Sequence, residues 1–183
     1  MTYKLNNIAV LVVDSNHNHM QLIKEVLRPL GVNRIAEMMN AKDAINYLEN
    51  NVVDIIFTEW HMDGDMDGLG LVEWIRKNPA SKNVFVPIVM VTAQSEEWKV
   101  MKARDAGVTE FLVKPFSAKT MARRITVVIE NPRQFVRTDD FFGPDRRRHV
   151  ISNYTGQERR KDLIGKGDQM MDDTAVEELL KEL

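Results

Sequence analysis

Four polar residues that could bind or transfer a charged group each stand at the end of a short apolar run. They are Asp14, Glu59, Thr92 and Lys114. Short apolar runs separated by helical patterns predict the buried strands of a parallel sheet. The carboxyl ends of such strands gather at one edge, where the chemistry of α/β proteins is usually found. We therefore expect two carboxylates, a hydroxyl and an ammonium to meet there.

The elements that must position these groups alternate along the chain. Helical spacing of apolar residues predicts helices over 16–30, 41–49, 68–77, 95–106 and 117–129. The β-α repeat predicts an α/β fold, a five-stranded parallel sheet with helices on both faces. We place the end of this domain at residue 131, before Pro132.

The order and spacing of several short segments resemble those of the CheY-like response regulator receiver domain of two-component systems. The matching segments are Val12-Val13-Asp14-Ser15, Phe57-Thr58-Glu59-Trp60, Met66-Asp67-Gly68, Val91-Thr92-Ala93 and Phe111-Leu112-Val113-Lys114-Pro115-Phe116. They fall within residues 6 to 130. The resemblance implies a bacterial signalling protein with a phosphoryl-accepting pocket.

The resemblance also implies a role for each residue of the pocket. Asp14 and Ser15 would hold Mg²⁺, Glu59 would take the place of the phosphoacceptor, and Thr92, Lys114 and Pro115 would form the phosphoryl-binding side. Phosphoryl transfer needs an in-line nucleophile, a metal held by carboxylates and donors for the phosphoryl oxygens.

This chain departs from the family pattern at two acids. Ser15 replaces a carboxylate, which removes a metal ligand. Glu59 is one methylene longer than the usual aspartate, and a displacement of about 1 Å can cost about 100-fold in rate. We therefore expect no required cofactor, weak binding of Mg²⁺ at best, and a permanent Glu59–Lys114 ion pair. The alternatives are that Glu59 is a working acceptor or that the pocket is only structural.

The overall composition limits the other possibilities. The chain has 183 residues, a net charge of -2 and no cysteine. No apolar run approaches the roughly 20 residues that span a bilayer. These features fit a cytoplasmic protein without disulfides. No helix-turn-helix pattern follows residue 130, so we expect no DNA-binding domain.

The segment after the predicted domain is rich in arginine and contains an internal repeat. We expect residues 132–171 to be extended or partly disordered, and residues 172–183 to form an amphipathic helix. The repeat has the pattern aromatic, any residue, Gly, any residue, acid, Arg, Arg, basic. Its candidate binding residues are Phe141, Asp145, Arg146, Arg147 and Arg148 in the first copy, and Tyr154, Glu158, Arg159, Arg160 and Lys161 in the second.

The chemistry of the repeat indicates a ligand with two guanines and two phosphates. Arginine binds phosphate and the guanine edge through two hydrogen bonds, and aromatic rings stack on bases. These features favour cyclic di-GMP, and the segment resembles the arginine-rich extension of CheY-like cyclic di-GMP effectors, whose receiver domain docks on the flagellar motor. The alternatives are RNA or polyphosphate, an acidic protein and a solubilising tail.

The sequence therefore indicates an atypical single-domain response regulator that is not an enzyme and acts by protein contact, independently of phosphorylation. We expect Trp98 to face solvent on the fourth helix, beside the strand of Phe111. There it either forms a docking face for a partner such as the flagellar motor or a histidine kinase, or merely covers a helix edge. The rival interpretations are an ordinary phosphorelay receiver and an RNA- or polyanion-binding regulator. We expect His17, His19 and His61 to be solvated loop residues.

Overall fold

The computed structural model describes residues 5–78, 81–138 and 141–145, together with the backbone of residues 162–164. The first five strands are β1 (Ala9–Val13), β2 (Arg34–Met38), β3 (Ile55–Thr58), β4 (Ile88–Thr92) and β5 (Glu110–Val113). They form one parallel sheet in the order β2-β1-β3-β4-β5. The predicted five-stranded parallel sheet is thus confirmed.

Five helices follow the strands. They are α1 (His17–Leu27), α2 (Ala41–Asn50), α3 (Gly68–Lys77), α4 (Glu97–Ala106) and α5 (Ala118–Glu130). α4 begins later than the predicted Ser95, because the backbone of Glu96 is extended (φ -63°, ψ 133°) and no side chain caps the helix start. A short 3₁₀ turn over Arg28–Leu30 closes α1.

The sheet separates two apolar cores. α1 and α5 cover one face, where Ile23 and Ile125 pack with Phe57 of β3. α2, α3 and α4 cover the other face, where Leu48 and other apolar residues pack with Ile56 of the same strand. Successive residues of a strand point to opposite faces, so the continuous apolar run of β3 fills both cores.

Three further strands follow the receiver-like sheet. They are β6 (Phe135–Arg137), β7 (Phe142–Pro144) and β8 (Asp162–Ile164), and they pair antiparallel in the order β7-β6-β8. The sequence predicts that residues 132–171 are extended or partly disordered. The described part of this extension uses the surface of the main domain instead.

An aromatic cluster attaches the extension to the main domain. The rings of Phe135 and Phe142 meet the ring of Phe85, which lies just before β4, at centroid distances of 5.3 and 5.6 Å. A Cβ atom on Gly143 would lie 3.0 Å from the Cα of Gly107, so the two backbones approach closely. Phe85 and Gly107 both precede strands, and the extension therefore packs at the amino edge of the sheet.

The buried side chain of Arg76 lies under this cluster. Its guanidinium donates hydrogen bonds to the backbone carbonyls of Gly107, Val84 and Val86, and it faces the ring of Phe135 at 5.0 Å. Burial lowers the pKa of Arg76 to about 9, which leaves the group charged at neutral pH. Carbonyl dipoles and an aromatic face compensate this charge.

Several expectations fall outside the described residues. The predicted helix over 172–183 and residues 146–161 of the arginine-rich segment are among them. In the part of the chain that the structure describes, no helix is long and apolar enough to cross a bilayer.

Substitutions in the aromatic cluster can test whether the extension contributes to the stability of the fold. Phe135 is 4% exposed, so Phe135→Ala should lower the free energy of unfolding by about 3 kcal/mol, measured by urea denaturation. Trp98→Ala, at a ring that is 60% exposed, is the control and should change it by less than about 0.5 kcal/mol. Equal effects of the two substitutions would mean that the extension does not contribute to the stability of the fold.

Candidate functional site

The sheet itself brings the predicted site residues together. Asp14, Glu59 and Lys114 come directly after β1, β3 and β5, and Thr92 is the last residue of β4. The strand pairing continues into the site, because Glu59 N–H donates to the carbonyl of Val13 at 2.9 Å and Lys114 N–H to that of Thr92 at 2.8 Å. The register of the sheet therefore fixes where these side chains start.

The ammonium of Lys114 lies at the centre of the site. Its Nζ is 2.6 Å from Glu59 Oε2, 2.9 Å from Asp14 Oδ2 and 2.8 Å from His19 Nδ1. An ammonium has three N–H donors and no acceptor, so these three neighbours match its full hydrogen-bonding capacity. The predicted Glu59–Lys114 ion pair is present, and Asp14 and His19 extend it into a four-residue cluster.

The second oxygen of Glu59 is also engaged. Glu59 Oε1 accepts a hydrogen bond from the backbone N–H of Trp60 at 2.6 Å. The side chain of Glu59 is 10% exposed and that of Asp14 is 4% exposed. The extra methylene thus lets the carboxylate of Glu59 fold back on its own backbone while it holds Lys114.

Glycine at position 68 allows the start of α3 to lie directly against the backbone of Glu59. A Cβ atom there would lie 1.8 Å from the backbone oxygen of Glu59. The N–H of Gly68 donates to the carbonyl of Trp60 at 2.8 Å, which ties the start of α3 to the strand end. Any larger residue at this position would displace the backbone of Glu59.

His19 belongs to the site, so the expectation that it is a solvated loop residue is wrong. Its Nδ1 lies 2.8 Å from the ammonium of Lys114 and 3.2 Å from Asp14 Oδ2. Because an ammonium can only donate, this nitrogen is the acceptor in the contact with Lys114. Asn16 caps α1 and sets the position of its first turn, which carries His19 back toward Asp14. His17 and His61 are exposed, as expected.

The donor set does not fit Mg²⁺. Asp14, His19 and Glu59 each offer one ligand atom, and these atoms lie within 4.8 Å of one another. The ammonium of Lys114 stands among them, however, and one of the three donors is an imidazole nitrogen, whereas Mg²⁺ prefers six oxygen ligands. Ser15 brings no carboxylate and lines a neighbouring groove beside Asp63.

The remaining pocket residues lie around this cluster. Thr92 is buried, and its hydroxyl accepts from the N–H of Gln94 at 3.3 Å. Pro115 is exposed and follows a cis peptide bond. Within the described chain, neither Thr92 nor Pro115 forms a hydrogen bond with the ammonium of Lys114, so neither belongs to the ionic cluster.

Exposed apolar side chains are found on α4 and β5. Trp98 is 60% exposed, Met101 47% and Val113 37%. Phe111 of β5 is half-buried and packs against one of the cores. The predicted position of Trp98 on the solvent side of the fourth helix is therefore correct.

The candidate ligand residues of the extension are only partly described. Phe141 is half-buried, and its ring stands over Gly143. The N–H of Asp145 donates to the carbonyl of Gln134 at 2.7 Å. The remaining candidates lie outside the described residues: Arg146, Arg147, Arg148, Tyr154, Glu158, Arg159, Arg160 and Lys161.

The comparisons with known proteins all indicate the same family. Residues 10–126 match the response regulator receiver domain. Chemotaxis protein CheY-3 of Vibrio cholerae is 32% identical over 124 residues, which cover 68% of this chain and 93% of that protein. Chemotaxis protein CheY of Pseudomonas aeruginosa is 32% identical over 123 residues, covering 67% and 97%.

A solved structure supports the same fold. The crystal structure of a two-component response regulator from Clostridium difficile has a TM-score of 0.61 and 26% identity, covering 68% of this chain and 98% of that one. The family match ends at residue 126, before the three-stranded extension. The sheet order, the residues at its carboxyl edge and these relatives show that the chain belongs to the response regulator receiver family, with a CheY-like receiver domain of two-component signalling.

Proposed function

We propose that this chain is an atypical, non-enzymatic response regulator that works in the cytosol by protein contact, independently of phosphorylation. The observation that carries the proposal is the ammonium of Lys114, held by Glu59 at 2.6 Å, by Asp14 at 2.9 Å and by His19 at 2.8 Å. A cation built into the chain occupies the centre of the receiver pocket.

The geometry of Glu59 disfavours phosphoryl transfer. A nucleophilic carboxylate needs a free oxygen in line with the phosphorus atom. Both oxygens of Glu59 already accept hydrogen bonds, one from Lys114 and one from the N–H of Trp60. Attack would require breaking a charge-assisted bond in a site that is nearly closed to solvent, without the second carboxylate that Ser15 replaces.

The internal ion pair gives the pocket a fixed state. A phosphorylated receiver carries negative charge next to its lysine, and here the carboxylate of Glu59 supplies negative charge to Lys114 permanently. The signal that the protein transmits then cannot come from this pocket. It must come from the amount of protein present or from a ligand that binds elsewhere.

The apolar surface on α4 and β5 supports a protein partner. Trp98 and Met101 are three residues apart on α4 and therefore share a face, and α4 packs against β5, which carries the exposed Val113. Exposed aromatic residues of this kind are frequent anchors of protein interfaces. Because the relatives are chemotaxis proteins, we propose a signalling partner such as a flagellar motor component or a histidine kinase.

The repeated residue pattern of the extension supports a ligand with two equivalent halves. β7 ends directly before Asp145 and the first arginine cluster, and β8 begins directly after Lys161, the last residue of the second cluster. The end of β7 pairs with Phe135 and the start of β8 pairs with Arg137, so the two clusters adjoin opposite ends of β6. We propose cyclic di-GMP, whose two guanines and two phosphates match the two clusters.

Phosphorylation chemistry gives the first test of this proposal. Acetyl phosphate with Mg²⁺ should leave the mass of the wild-type protein unchanged. The double variant Ser15→Asp with Glu59→Asp, which restores the metal ligand and the shorter acceptor, should gain one phosphoryl group. A phosphorylated wild type whose modification disappears in Glu59→Gln would identify an ordinary phosphorelay receiver instead.

The ammonium of Lys114 gives the second test. Lys114→Met leaves two nearly buried carboxylates without their cation, and it should lower the free energy of unfolding by about 1–3 kcal/mol. The control is Lys77→Met, which removes an exposed ion pair with Glu73 and should cost less than about 0.5 kcal/mol. If the two variants are equally stable in thermal unfolding, the cluster is not a fixed structural state.

Nucleotide binding gives the third test. The full chain should bind cyclic di-GMP with marked salt dependence in calorimetry. Arg146→Ala and Arg159→Ala should each weaken binding by more than about tenfold, because each removes a desolvated arginine contact. Arg104→Ala, on the far helix α4, is the matched control. Tighter binding of single-stranded RNA, or equal losses in all three variants, would leave the extension as a general polyanion contact.

A further inference from the structure

A basic groove lies on the α5 side of the molecule, away from the receiver pocket. It has a volume of about 680 Å³ and is formed by α5, the start of β5 and the segment after α5. Lys119, Arg123, Arg124 and Arg133 line it, with Glu110 as the acidic residue of the lining. Four cations and one carboxylate leave a formal charge of +3.

The buried carboxylate of Glu110 holds two of these cations in place. Glu110 Oε2 is 3.0 Å from Nη1 of Arg124, and Glu110 Oε1 is 2.9 Å from Nη2 of Arg133. The Glu110 side chain is 3% exposed, so it is fixed by the sheet and cannot follow the arginines into solvent. Each guanidinium has five N–H donors and uses one of them in these contacts, which leaves the others for a ligand.

The other two cations of the groove are not paired with an acidic residue of the described chain. Lys119 and Arg123 are exposed and form no ion pair with another described residue. They are four residues apart on α5, so they share one face of the helix. The one acid of α5 is its last residue, Glu130, which does not line the groove, whereas an ordinary solvated helix face intersperses both signs of charge.

The cations that line the groove repel one another unless a bound anion neutralises their charge. Guanidinium groups with a fixed plane bind phosphate through pairs of hydrogen bonds, and lysine adds a point charge. The hydroxyl of Thr120 and the amide of Asn131 also line the groove and supply neutral donors. The volume lies in the range of small-molecule sites. A compact, highly charged anion fits these features better than the widely spaced carboxylates of an acidic peptide.

We propose that this groove binds an anion with two linked phosphate groups, either free pyrophosphate or the diphosphate of a nucleotide. Arg124 and Arg133 provide the preorganised side, and Lys119 and Arg123 close on the ligand from the helix face. This site uses none of the residues of the arginine repeats and does not depend on cyclic di-GMP. Because Arg133 directly precedes the segment that enters β6, an occupied groove also holds the base of the extension.

Calorimetry on the full chain tests the proposal, with pyrophosphate and ADP as probes and sulfate as the reference anion. Pyrophosphate should bind at least about tenfold more tightly than sulfate, since a second phosphate adds charge-assisted contacts. Arg123→Gln and Lys119→Gln should each weaken pyrophosphate binding by at least about fivefold. The matched control Arg104→Gln, an exposed arginine beside Asp105 on α4, should change it by less than about twofold. ADP that binds more tightly than pyrophosphate identifies the nucleotide as the ligand.

Three outcomes would overturn the assignment. They are pyrophosphate binding no tighter than sulfate, equal losses in Arg123→Gln and Arg104→Gln, and displacement of pyrophosphate by a polyglutamate peptide at lower concentration than by ADP. The last result would make the groove an acidic-protein contact. None of these outcomes depends on cyclic di-GMP or acetyl phosphate, so the groove can fail while the proposed function stands.

Discussion

The ammonium of Lys114 has three hydrogen-bond donors, and the fold places three acceptors around it. Each acceptor comes from a different element: Asp14 from the end of β1, His19 from the first turn of α1, and Glu59 from the end of β3. The contact joins parts of the chain up to 100 residues apart. Without this cation two buried carboxylates would face each other unpaired, so the carboxyl edge of the sheet depends on it.

The candidate functional sites lie on different parts of the molecule. The ionic cluster lies at the carboxyl edge of the sheet, and the three-stranded extension packs at the amino edge through Phe85, Phe135 and the buried Arg76. The exposed apolar surface at Trp98 and the basic groove at Arg123 lie on the helices and the edge strand between them. The receiver domain thus offers several candidate surfaces to partners and ligands besides its pocket.

The sequence predicts the sheet and the Glu59–Lys114 pair because both follow from local patterns. Apolar runs mark buried strands, and the residue after each run must lie at the common edge. His19 was missed because one histidine on a helix carries no period or spacing, and only the capped first turn of α1 turns it toward Asp14. The packing of the extension could not be predicted because Phe135 contacts Phe85, which lies in a loop distant in sequence. A short segment without a core of its own can still bury its apolar side chains against such a surface.

Nuclear magnetic resonance of the lysine ammonium groups tests the central claim most directly. In a ¹⁵N-labelled sample at neutral pH, the Nζ hydrogens of Lys114 should exchange slowly with water, and their signal should shift in Glu59→Gln and in His19→Gln. The exposed Lys77 in the same spectrum is the internal reference. A Lys114 ammonium that exchanges as fast as that of Lys77 and does not respond to either substitution would contradict the account.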